Sequence, residues 1–231
     1  MHKRCIFSFV VLGVLLHFPG AIAAPTNLDQ EFVYVQGAVE TSKLSNFRGP
    51  LVDLGAGIAA TGMTTFDRGR GWGLTLGRQW ISEDEEKKRD FHRLEIELLS
   101  SSFKRKSVTF FQAMPASGDV SAEVTFVNYL RRISESENYR YLAGLGIGLA
   151  RLSVADGPVF SNGCGCPKGG DSTGLAWQAK AVAQRPMGDS SVLNGYIFYR
   201  SLPGMSFGSS PQTKYPRFGI YGIGIALEFS F

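Results

Sequence analysis

From Tyr221 to Phe231 the chain alternates strictly, with Tyr221, Ile223, Ile225, Leu227, Phe229 and Phe231 on one face and Gly222, Gly224, Ala226, Glu228 and Ser230 on the other. A period of two is that of an extended strand, whose successive side chains point to opposite faces. The same period recurs down the chain. Tyr141, Ala143, Leu145, Ile147 and Leu149 oppose Arg140, Gly144, Gly146, Gly148 and Ala150. Leu94, Ile96 and Leu98 oppose Arg93, Glu95 and Glu97, while Leu175, Trp177, Ala179 and Ala181 oppose Gln178, Lys180 and Gln184. Trp72, Leu74, Leu76 and Trp80 face away from Gly73, Thr75 and Gly77. No stretch after residue 25 carries a capped 3.6-residue stripe, so a helical fold is excluded.

The second face separates a soluble sandwich from a membrane barrel. A solvated face is rich in Lys, Glu and Thr, whereas here it is glycine and alanine with isolated charges of both signs. Small residues with paired charges suit the crowded lumen of a narrow barrel. The greasy faces then meet lipid, and Trp or Tyr at segment ends suits the aromatic girdles at the membrane interfaces. Eight segments are predicted, near 31–39, 71–81, 91–101, 120–133, 139–152, 174–186, 191–202 and 217–231. The intervals 40–70, 102–119, 153–173 and 203–216 are long and 82–90, 134–138 and 187–190 are short. The fold class is therefore all-β, an eight-stranded antiparallel transmembrane up-and-down β-barrel with four long extracellular loops. An even strand number puts both termini on the short-turn side, the periplasm.

His2, Lys3 and Arg4 precede the apolar run Cys5 to His17, and Ala21-Ile22-Ala23 supplies a small-x-small cleavage pattern. This predicts a secretory signal peptide over 1–23, too short to cross a bilayer as a helix, with the barrel domain over 24–231. Cleavage lowers the formal charge from +4 to +2, because Lys3 and Arg4 leave and no acid does. The remaining cations are scattered, so nucleic acid is not an expected partner.

Of the three cysteines only Cys164 and Cys166 remain after cleavage. In an oxidising compartment they either close as a small disulfide across a loop tip or stay reduced and bind a soft metal. Two ligands do not make a zinc site, so no metal and no cofactor are assigned. Inside the barrel the sequence places Arg93, Glu95, Glu97, Lys180, Arg200 and Glu228, which in a narrow core must pair. The inward register of Tyr196 and Arg200 reads nearly as well the other way. Eight strands enclose a lumen that side chains just fill, which argues against an open channel but leaves room for a low-conductance path.

A lipid A-modifying enzyme would need a nucleophile beside a histidine base. The one histidine after the signal, His92, opens its strand at the periplasmic rim. Ser100, Ser101 and Ser102 end the same strand, roughly 25 Å away at ~3.3 Å per residue. No catalytic residue is assigned. Function then falls to the loops. Loop 40–70 carries Lys43, Arg48, Arg68 and Arg70 against Glu40, Asp53 and Asp67, and loop 102–119 carries Lys104, Arg105 and Lys106 with Phe110, Phe111 and Met114. The cations suit anionic partners, including lipopolysaccharide phosphates, and the aromatics suit a partner-binding anchor or a strand extension.

The order Arg93-Leu94-Glu95-Ile96-Glu97, Asn128-Tyr129, Tyr141 to Gly148, Gly195-Tyr196 before Arg200 and a final Glu228-Phe229-Ser230-Phe231 resembles the opacity-type and OmpA-like family of eight-stranded outer-membrane barrels. The resemblance spans essentially the whole mature chain and implies a Gram-negative outer-membrane location. The roles it implies are adhesion, surface antigenicity, envelope integrity or small-solute passage, with host surfaces or extracellular ligands as partners. Its Cys164-Gly165-Cys166 loop departs from the family pattern. No peptidoglycan-binding domain follows Phe231, so wall anchoring is not expected. The C-terminal strand, with Tyr221, Leu227, Phe229 and Phe231, also resembles the signal read by the barrel insertion machinery.

Overall fold

A computed structural model describes residues 31–44, 47–53, 59–83, 89–109, 113–115, 118–156, 169–187, 190–207 and 212–231. Eight long strands form a closed antiparallel ring: β1 (Phe32–Leu44), β4 (Gly69–Glu83), β5 (Arg89–Thr109), β7 (Asp119–Ser136), β8 (Tyr139–Val154), β9 (Gly170–Pro186), β10 (Ser191–Leu202) and β13 (Phe218–Ser230). Pairing of β1 with β13 closes it. Tyr34 pairs with Gly77, Gly77 with Glu95, Glu95 with Asn128 and Asn128 with Gly146. Gly146 then pairs with Gln178, Gln178 with Arg200, Arg200 with Ile220, and Ile220 with Leu44. The circuit thus returns to β1 ten residues from its start. With ~3.3 Å per residue and ~4.8 Å between strands, that stagger tilts the strands ~40° and sets a backbone radius of ~8 Å. So narrow a tube fills with its own side chains.

Burial alternates along every strand of the ring. Val39, Trp72, Ile96, Val127, Ile147, Leu175, Ile197, Ile223 and Ile225 are exposed, while their chain neighbours turn inward. A continuous apolar belt of this extent meets lipid rather than water. Trp72, Trp177, Tyr199 and Tyr221 edge the belt at the end of the long connections, and Trp80, Tyr139 and Phe229 edge it at the end of the short turns. The Trp177 and Tyr199 rings lie 5.4 Å apart.

The long connections differ from the sequence expectation, because much of them is strand. β2 (Phe47–Asp53), β3 (Ala59–Phe66), β6 (Ala113–Pro115), β11 (Met205–Phe207) and β12 (Gln212–Tyr215) join the end of β5 in a second sheet beyond the belt. These segments lack a lipid-facing stripe, so their sequence reads as loop. Several placements change with them: Lys43, Arg70, Lys104 and Lys106, expected in loops, lie on β1, β4 and β5, and two further residues turn inward. Glu40, expected in a loop, lies on β1, where the inward row Gln36, Ala38, Glu40, Ser42 and Leu44 is unbroken. Arg105, expected exposed between Lys104 and Lys106, lies on the inward row of β5 and is 5% exposed. Residues 1–23, Cys164 and Cys166, and Phe110 and Phe111 fall outside the described residues.

Closure predicts resistance to detergent unfolding, since a ring without a free edge offers no place for unzipping to begin. Refolded protein should migrate faster on a denaturing gel unheated than boiled, and coincident bands from verified folded protein would contradict a closed ring.

Candidate functional site

The lumen is the most elaborate chemical arrangement of the described residues. It is built in tiers, because inward positions recur every second residue on strands that are staggered around the ring. At the short-turn end Arg93 of β5 forks onto Glu228 of β13, with Nη1 donating to Oε2 at 2.8 Å and Nη2 to Oε1 at 3.0 Å. Its Nε donates to Gln79 at 3.0 Å, and its guanidinium lies 4.5 Å from the Tyr34 ring centroid. Asn194 adds a donor to Glu228 at 2.9 Å. In the middle tier Lys180 donates to Glu97 at 2.9 Å and stands 3.6 Å from Glu95. Tyr34 donates to Glu95 at 2.7 Å, and Asn128 and Gln178 donate to Glu97 at 2.9 and 2.6 Å. In the third tier Arg200 forks onto Glu40 at 2.6 and 2.9 Å, while Ser101 donates to the same carboxylate at 3.0 Å.

Arg93, Glu95, Glu97, Lys180, Arg200 and Glu228 are thus all within the barrel, none more than 5% exposed. Glu40 and Arg140, at 6% and 1% exposure, join them. In the sequence Glu40 reads as loop, and Arg140 is not among the predicted lumen charges. The signal for both was the inward register, continued past the point where the apolar face stops. Glycine makes the room: a Cβ on Gly71 would stand 2.8 Å from both Glu40 Oε1 and Ser101 Oγ.

Both mouths are filled. At the short-turn end the Arg132 and Arg140 guanidinia lie 4.2 and 4.1 Å from the Phe91 ring, and Glu135 accepts from both at 2.7 and 3.0 Å. At the other end Leu44, Phe103, Val120, Leu152, Leu202 and Phe218 are buried together above the Arg200–Glu40 tier. A charge leaving the polar tiers in that direction would have to cross this apolar plug undersolvated.

Beyond the plug, Arg105 donates Nη1 to the Asp156 carbonyl at 3.0 Å and Nη2 to the Ala155 carbonyl at 2.8 Å, tying the second sheet to the end of β8. Burial pulls its basicity down and pushes the neighbouring Tyr215 hydroxyl up to about 12. Gly118, at a φ of 122°, lets the chain turn into β7 beside this contact, where a Cβ would meet Ala155 at 2.9 Å. Lys104 and Lys106 are exposed. His92 points to the belt, with Nδ1 2.6 Å from the Tyr129 hydroxyl and its ring 5.5 Å from Trp80. Beside it, burial raises the Asp90 carboxyl, but the hydrogen bond and charge of Arg131 outweigh that and hold it below its usual range. Tyr221, Leu227, Phe229 and Phe231 all face outward, between 41% and 47% exposed, and the Phe231 amide donates to Val33 at 3.0 Å.

A buried pair is harmed more by losing one partner than both. Arg93→Met and Glu228→Leu alone should each lower unfolding stability by about 3–5 kcal/mol in urea titrations of lipid-reconstituted protein, and the double variant by less than the larger single loss. Additive losses would show that the two side chains do not act as a pair.

As a sequence, the chain matches no protein-family model and no curated protein. Its structure is similar to that of Neisserial surface protein A, with a TM-score of 0.50 at 12% identity, covering 86% of this chain and 97% of that one. It is similar also to the outer membrane protein OprG from Pseudomonas aeruginosa, with a TM-score of 0.50 at 16% identity, covering 90% of this chain and 99% of that one. At such identities the likeness carries the fold alone, and the fold is that of the eight-stranded outer-membrane β-barrels.

Proposed function

We propose that this chain is a non-enzymatic outer-membrane surface protein. Its barrel is an anchor, and its second sheet is the working part, serving adhesion, surface recognition or envelope organisation. One observation carries the proposal: the lumen is occupied by paired charges and closed by an apolar plug, while the chain builds an ordered sheet beyond the membrane belt. A conduit needs water-filled space, and a presentation scaffold needs rigid support for its exposed edge. Residues 1–23 direct export in this proposal, the C-terminal strand through Phe231 is read by the insertion machinery, and the termini lie in the periplasm. The short turns after β4, β7 and β9 lie on that same side.

Planar-bilayer recording of the refolded protein should show no steady single-channel conductance, and reproducible unitary steps would instead favour a small porin. On intact cells, protease should cut between 157 and 168 and spare 134–138, whereas the reverse pattern would turn the barrel over. Arg105→Gln should leave the heat-dependent gel shift intact while speeding cleavage between 157 and 168, since only the tie between β5 and the end of β8 is lost. Unchanged cleavage would remove Arg105 as the support of the outer sheet.

A further inference from the structure

Around the loop-end rim, one arc of the lipid-facing surface carries four cations that form no ion pair among the described residues. Trp72, 61% exposed, shares a ladder row with Val39 of β1 and Ser100 of β5. Two residues nearer the rim on β4, Arg70 is exposed in the next outward row, between Thr41 and Ser102. Past that row Lys43, Arg68 and Lys104 are also exposed, and the Asp67 amide bonds the Lys104 carbonyl at 2.9 Å, holding Arg68 beside it. Among the described residues none of these four cations forms an ion pair, although Asp67 is nearby and Asp119 stands across the ladder from Lys104. The next arc is different: Glu123, Arg151 and Thr173 share a row, and Arg151 bridges Asp171 at 3.3 Å.

We propose that the arc of Lys43, Arg68, Arg70 and Lys104 binds the phosphates of a lipid headgroup. Given the orientation proposed above, on which this inference rests, the partner is the phosphorylated glycolipid of the outer leaflet. Depth selects a membrane lipid over a soluble ligand. A lipid-facing tryptophan marks the interface, and at ~2.5 Å of axial rise per tilted residue, with ~3 Å more from each strand to the next along a row, these cations lie ~5 to ~13 Å above it, at headgroup level. Chemistry selects phosphate: Arg70 offers a planar fork that matches its oxygens, flanked by the Ser102 hydroxyl, and the lysines add point charges on both neighbouring strands. Lys43, Arg70 and Lys104 lie on strands and Arg68 in the two-residue connection between β3 and β4, held by the Asp67–Lys104 backbone bond, so the charges keep their spacing without a folding step on binding.

The test uses the full-length refolded protein in neutral micelles, titrated with fluorescent bisphosphorylated lipid A, the same lipid without phosphates, and soluble inositol hexakisphosphate. The triple variant Lys43→Gln, Arg70→Gln, Lys104→Gln should bind bisphosphorylated lipid A more weakly by about fivefold for each cation removed. The dephosphorylated lipid should bind weakly to wild type and variant alike. Arg185→Gln with Lys214→Gln, which removes charge elsewhere, should leave lipid A affinity unchanged. Folding of each variant is read from the heat-dependent gel shift, and Arg70→Gln alone, with about a fivefold loss, serves if the triple variant does not fold. Unchanged lipid A affinity in the arc variants, or an equal loss in the control, overturns the proposal. Equal wild-type affinity for the soluble phosphate also overturns it, in favour of a soluble-anion site. Bilayer conductance is indifferent to this arc, so failure here leaves the surface-scaffold proposal standing, while an observed pore would not explain lipid selectivity.

Discussion

In hydrocarbon every backbone N–H and C=O must find a partner within the chain, and the pairing of β1 with β13 is what lets this chain meet that demand. Without it both strands would present a full row of unpaired groups to lipid. Closing eight strands at this stagger also fixes the diameter, and the diameter determines what the inner face can hold. Tyr34 and Tyr196 each fill space left by a glycine on a neighbouring strand, Gly77 and Gly224, where a Cβ would collide with the phenol ring. The glycine richness of the inner rows is therefore the complement of large neighbours, and it leaves little of the tube empty.

A dry, narrow interior also dictates how charge is arranged. Four carboxylates, Glu40, Glu95, Glu97 and Glu228, meet four cations, Arg93, Arg140, Lys180 and Arg200, and each has an oppositely charged partner within 3.6 Å. Arg140 reaches outward to Glu135 for its partner, which leaves Lys180 to serve both Glu95 and Glu97. Such networks add little net stability compared with an apolar filling, yet they penalise heavily any register that separates the partners. In a barrel that role has a geometrical use: a slip of one residue would turn Arg93, Glu95 and Glu97 to lipid together. The network selects the stagger as much as it stabilises it.

The strand pattern was legible because lipid demands apolar side chains outside at every second position, which leaves a long, repeated mark in sequence. The barrel class, the eight main strands and the alternation of short and long connections all follow from that mark. Beyond the belt the demand stops. Glu40 and Arg105 keep their inward register there, but their outward neighbours Thr41, Lys43, Lys104 and Lys106 are polar, so the segments look like loop. Partners were less legible than positions. Nothing in the sequence near Arg200 announces Glu40, separated by 160 residues and brought together only by the β10–β13–β1 ladder.

The same logic explains why the second sheet is ordered at all. Each long connection here joins directly paired neighbours, so its ends are fixed one strand spacing apart and entropy favours a mobile arch between them. Here β5 runs on past the belt for several residues and offers edges on both sides, to β3 and to β6. Each added strand satisfies backbone groups that water would otherwise occupy, but hydrogen bonds alone return little against water. The stabilising part must be apolar: Phe207 packs edge-on against Tyr215 and Tyr215 stacks on Phe218, with centroids 5.8 and 6.1 Å apart, and Phe218 is itself part of the plug with Phe103, Val120 and Leu202. The plug is therefore shared. It caps the lumen below and is the hydrophobic base of the sheet above, so a change that opened the barrel at that end would also loosen the second sheet.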